Sequence, residues 1–132
     1  MSTVRLLADA DLSPEAAAVF ADIRATRKTD FINNFWRALA NDPPALRRTW
    51  ESLKQVMGPG TLDPLTKELI YVAVSMANSC EYCIRSHSAA ARSKGMSEAQ
   101  FMELVSIVAM ASETNRLAIA LQVPVDEAFK PV

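Results

Sequence analysis

The sequence predicts an all-α fold: a single-domain helical bundle of about six helices spanning its 132 residues. Three observations lead there. Glycine is scarce, at Gly58, Gly60 and Gly95, whereas alanine recurs in runs such as Ala16-Ala17-Ala18 and Ala89-Ala90-Ala91, a composition that favours helices. Serine or aspartate followed by proline or glutamate marks one helix start after another. No stretch between turn signals alternates apolar and polar residues as a half-buried strand would.

The elements follow in order. Ser13-Pro14-Glu15 opens a first helix that runs to about Lys28. A second apolar-rich segment, from about Asp30 to Leu39, carries Phe31, Phe35 and Trp36, and Asn41-Asp42-Pro43-Pro44 interrupts it. Pro44 to Met57 reads as a third helix, with Leu46, Trp50, Leu53 and Met57 at helical spacing. Gly58-Pro59-Gly60 is the clearest break in the chain, although the flanking helices are too few to build two cores. Asp63-Pro64 starts a fourth helix through Leu65, Leu69, Tyr71, Val72 and Met76, ending near Asn78. Ser79 is a candidate cap for the fifth, which ends at Lys94-Gly95. Ser97 and Gln100 form a capping-box pattern at the head of a sixth helix that reaches about Leu121. One domain over residues 1–132 is expected, with leading helices at 13–57 and a core at 63–121.

Composition narrows the function. Half of the residues are hydrophobic and 22% are charged, too apolar for a disordered segment. Fourteen basic against fifteen acidic side chains leave a formal net charge of -1, which gives no reason to expect a nucleic acid or an anionic membrane as partner. The longest apolar runs, such as Leu69 to Val74, fall far short of the ~20 residues needed to cross a bilayer. The opening residues meet an aspartate before any signal-peptide core forms, so the cytoplasm is the expected address. There is no Gly-rich phosphate loop and no second histidine, hence no sign of haem, flavin or nicotinamide.

The chemistry concentrates in one place. The two cysteines, Cys80 and Cys83, stand three apart, and the single histidine, His87, follows four residues later. On a helix, residues three and four apart lie about 60° and 40° apart around the axis, so the three side chains share a face. Free N–H groups and the positive dipole end of a first turn stabilise a thiolate there. A histidine one turn along can take a proton from Cys83. A thiolate with a second thiol in disulfide reach is the minimum equipment for two-electron redox chemistry. Dipole and histidine favour different sulfurs, the first Cys80 and the second Cys83. Buried core filler and half of a structural zinc site are the alternatives, although a closed zinc site wants four ligands and the chain offers only His87 and a carboxylate beside the pair. A thioredoxin-like reading lacks its βαβ context.

The run Cys80-Glu81-Tyr82-Cys83-Ile84-Arg85-Ser86-His87, preceded by Glu68 twelve residues before Cys80, resembles the active-site signature of the alkylhydroperoxidase D-like family, within the carboxymuconolactone decarboxylase-like superfamily. The resemblance extends over most of the chain, from Phe31 to Leu53 and from Leu65 to Leu121. It implies an all-helical subunit assembled as a homo-trimer or homo-hexamer, and thiol-dependent reduction of hydroperoxides by an external dithiol or redox-protein reductant. Cys83 and Cys80 would be the redox pair, with Cys83 meeting the peroxide, His87 the proton acceptor beside it, and Glu68 the relay carboxylate. Tyr82 stands where many relatives have an aromatic residue or histidine, as a possible supporting group. The competing readings are a disulfide reductase or electron-transfer adaptor for a partner protein, a lactone decarboxylase, and a non-enzymatic or metal-binding module. Arg85 and Arg92 are candidates to hold an anion, Trp36 and Trp50 read as packing anchors, and Met57, Met76, Met96, Met102 and Met110 as core or interface filler.

Overall fold

In the computed structural model, which describes residues 1–131, the chain is all-helical. Its six α-helices are α1 (Pro14–Arg27), α2 (Asn34–Leu39), α3 (Pro43–Met57), α4 (Pro64–Ala77), α5 (Glu81–Ser93) and α6 (Glu98–Ala120). Two short 3-10 turns, Asp9–Asp11 and Glu127–Phe129, went unforeseen. Two compact units result, Met1–Pro59 and the residues from Gly60 onward, so the Gly58-Pro59-Gly60 break marks their boundary. Among the described residues no helix is long and apolar enough to cross a membrane.

Local chemistry explains the helix starts. Side-chain oxygens of Ser13, Asp42 and Asp63 accept the backbone N–H groups of Ala16, Ala45 and Thr66 at 3.1, 3.0 and 2.9 Å, each ahead of a helix that begins with proline. Ser97 and Gln100 complete the capping box of α6. The second helix is shorter than the sequence suggests. Lys28 turns into the left-handed region at φ 54, and Arg24 and Arg27 then hold the Asp30 carbonyl and the Asn33 side chain at 2.9 and 2.8 Å. Those bonds keep residues 30–33 out of the helix.

The first unit contains a packed core of Ala16, Val19, Phe20 and Ile23 from α1, Ile32, Trp36, Ala40, and Leu46 and Trp50 from α3. Trp36 and Trp50 meet edge to face at 5.5 Å, and the Trp50 indole N–H donates to Asp22 at 2.6 Å, so both act as packing anchors. The second unit is organised differently. Helix α4 packs on both α5 and α6, and its buried residues are Glu68, Val72 and Ser75, two of them polar. Met96 is buried, whereas Met102 and Met110 stand exposed. Helix α6 has no buried residue along its 23 positions.

Candidate redox site

The turn between α4 and α5 places the cysteines. Ser79 does not cap α5 as the sequence suggests. It closes α4 instead, in the left-handed region at φ 56, and the next N–H, that of Cys80, donates to the Ser75 carbonyl at 2.9 Å. Cys80 therefore becomes the cap, its Sγ accepting the Cys83 backbone N–H at 3.3 Å. One residue's displacement moves Cys80 from the first helical turn to the position where the unpaired N–H groups converge. Both cysteines are free thiols of intermediate burial.

Their acidities diverge. Hydrogen bonds from the Cys83 thiol and the Cys83 backbone N–H hold the Cys80 thiol below its ordinary range. Burial, together with the hydrogen bond to Cys80 and the charge there, pushes the Cys83 thiol up to about 11. The first ionisation of the reduced pair belongs to Cys80, the sulfur the helix dipole favours.

Helices α4 and α5 bring the other predicted residues together. Glu68, 6% exposed, points one oxygen at His87 and the other at Lys94: Oε2 lies 2.8 Å from His87 Nδ1 and Oε1 accepts from Lys94 Nζ at 2.9 Å. Burial pushes the carboxyl up, but the hydrogen bonds from His87 and Lys94 outweigh it and hold Glu68 below the usual glutamate range. With Nδ1 donating to a carboxylate, a neutral His87 ring leaves Nε2 as its open acceptor.

Two members of the cluster escaped sequence reasoning. Tyr71 stacks on the His87 ring with centroids 3.6 Å apart and planes 18° from parallel. Burial raises its phenol, and negative charge on Cys83, Cys80 and Glu68 raises it further, so it stays protonated beside the thiols. Lys94 is the other. The only signal the sequence holds for them is spacing, which many residues share: Tyr71 is three residues after Glu68, and Lys94 seven after His87, two turns along the same face.

The remaining candidates lie outside this cluster. Tyr82 is exposed in the first turn of α5. Arg85 pairs with Glu81 and Arg92 with Glu98, both at the surface. Among the described residues, no group of three or more histidine, cysteine, aspartate or glutamate side chains is arranged to hold a metal ion.

Comparison with known proteins agrees with this architecture. The model of the carboxymuconolactone decarboxylase family matches residues 43–126. The crystal structure of the alkylhydroperoxidase AhpD core from Rhodospirillum rubrum is 63% identical, with 98% of this chain and 97% of that one covered at a TM-score of 0.94. An uncharacterized protein, number 4 in the cox locus of Paracoccus denitrificans, is 41% identical over 56 residues, 42% of this chain. The match spans 50% of that curated relative's length.

Proposed function

The chain belongs to the carboxymuconolactone decarboxylase family, and from that premise we propose that it is a thiol-dependent peroxidase of the alkylhydroperoxidase type, working through Cys80 and Cys83 with His87 and Glu68 as proton relay. The observation that carries this reading is the pairing of two free thiols, hydrogen-bonded across one helix start and unequal in acidity, in the unit whose α4 and α5 join His87 to Glu68.

In the proposed cycle His87 takes the Cys83 proton as the sulfur attacks the O–O bond of the hydroperoxide. The alkoxide leaves with that proton as an alcohol, and Cys83 becomes a sulfenic acid. Cys80 attacks the oxidised sulfur, the S–O bond breaks, and water leaves as the disulfide forms. An external dithiol then reduces the disulfide by exchange. No resident cofactor enters the cycle. Because Cys83 is the weaker acid, its thiolate is the stronger nucleophile, but it needs a base at the moment of attack. His87 meets that need.

A second reading, a disulfide reductase serving a partner protein, is favoured by the raised acidity of the Cys80 thiol at the helix start. Steady-state assays with a dithiol reductant separate the two. The peroxidase account expects rapid consumption of an alkyl hydroperoxide, abolished by prior alkylation of the thiols. A mixed disulfide with a partner protein, trapped in Cys83→Ser and absent in Cys80→Ser, alongside slow peroxide turnover, would favour the adaptor. Lactone decarboxylation insensitive to alkylation would favour the third branch.

Self-association, as a trimer or hexamer, belongs to the same proposal. Met102, Ile107, Met110, Leu117 and Ile119 stand exposed along α6, an apolar surface suited to other copies. Sedimentation at micromolar concentration is expected to give a mass above the monomer's 14.5 kDa, and a monomer there would contradict the assembly.

A further inference from the structure

Glu68 is buried, yet it faces two basic side chains from the same helix face, and the relay described above uses only His87. A buried carboxylate demands a counter-charge. With the imidazole as its sole partner, the carboxylate would favour the protonated ring, and a protonated ring cannot accept a proton from Cys83. Lys94 meets the demand from the other oxygen, at 2.9 Å.

Its placement is fixed by the end of α5. The Lys94 N–H donates to Ala90 and Ala91 carbonyls, Gly95 takes φ 99, and the Met96 N–H returns to Ala91 at 3.0 Å. A residue with a Cβ at Gly95 would be strained by that angle alone, since open space surrounds it. The closed turn holds the Lys94 stem where its ammonium reaches back to α4.

His87 meets Glu68 and Tyr71 from α4, and Lys94, the residue that caps the end of α5, reaches the same Glu68 carboxylate. The Cys80 and Cys83 sulfurs act electrostatically on Tyr71, which covers the imidazole ring. At the start of α6, Glu98 is engaged by Arg92 at the surface.

We propose that Lys94 is a positioning residue of the relay: its ammonium neutralises Glu68 so that His87 can stand as a neutral base, Nδ1–H on the carboxylate and Nε2 open. The inference rests on the relay reading, with His87 as the base for Cys83. It adds a second cation that sets the charge state of that base without touching sulfur or peroxide.

His87 is the chain's only histidine, so a single imidazole Cε1–H resonance reports its protonation in the full, reduced protein. Lys94→Met is expected to move the midpoint of that titration up by about one pH unit, the tenfold effect of losing one close opposite charge to the carboxylate. Lys94→Arg is expected to restore most of it. In a Glu68→Gln background the Lys94→Met shift should shrink to a few tenths. An unmoved midpoint in Lys94→Met, an Arg variant as displaced as the Met one, or an undiminished shift without Glu68 would each overturn the proposal, the last because Lys94 would then act on the imidazole directly. The resonance is read without peroxide. A failure of the peroxidase reading would therefore appear as absent turnover with the NMR shifts intact, while a failure of the Lys94 role would appear in the shifts themselves.

Discussion

Cys83→Ser is expected to lower hydroperoxide turnover by about 10³-fold or more, the scale seen when the reacting group of an enzyme is removed. A serine hydroxyl can neither form a sulfenic acid nor close a disulfide, so both oxidative steps vanish with one sulfur atom. Cys80→Ser should behave differently. Peroxide still reaches Cys83, one oxidation occurs, and the sulfenic acid then persists because no second thiol condenses with it. The two variants thus separate into one with no burst and one with a single burst trapped by a sulfenic-acid reagent. The serine at position 80 also removes the anion that pushes the Cys83 thiol up, so alkylation of Cys83 should begin at lower pH than in the native pair. Full steady-state turnover by Cys83→Ser would refute the assignment of the attacking sulfur.

The second large effect is at Glu68. Glu68→Gln keeps the shape of the side chain and removes its charge, leaving His87 without a carboxylate at Nδ1 and Lys94 without its partner. Turnover is expected to fall about 100-fold, the lower part of the range for losing a positioned acid–base pair. Stability should respond with a definite sign. The folded state holds this carboxyl below its ordinary range, so the stabilisation it supplies is complete above the unfolded value of about 4.3 and is lost as pH falls through the folded value. Chemical denaturation of native protein and Glu68→Gln should therefore differ most at neutral pH and converge below about pH 4. A gap that widens on acidification would show that the charged form is not the one the fold favours.

Much of this is legible in the sequence. Asp63-Pro64 and the Ser97/Gln100 pair named their helix starts because capping is local chemistry: a side-chain oxygen meets N–H groups two or three residues ahead in the same chain. Glu68, Cys80, Cys83 and His87 were marked by spacing and by resemblance. The start of α5 was not legible in the same way. Ser79 and Cys80 are both able to cap, and the choice was made by the backbone, where the end of α4 takes Ser79 into the left-handed region and leaves Cys80 at the helix mouth. Likewise, α2 begins at Asn34 because arginines of α1 hold residues 30 and 33, a contact between elements that periodicity within either does not encode. Tyr71 and Lys94 share faces with Glu68 and His87, but many residues share faces. Only the packing of α4 on α5 shows which of them meet.

The central claim is that the two thiols form a peroxide-reactive redox centre, and one measurement addresses it most directly. Reduced protein is treated with one equivalent of an organic hydroperoxide per chain, and free thiols and intact mass are read before and after. The account predicts loss of both thiols, with a mass decrease of two hydrogens and no retained oxygen, as one intramolecular disulfide between Cys80 and Cys83 requires. Thiols that remain free at the native mass would contradict it.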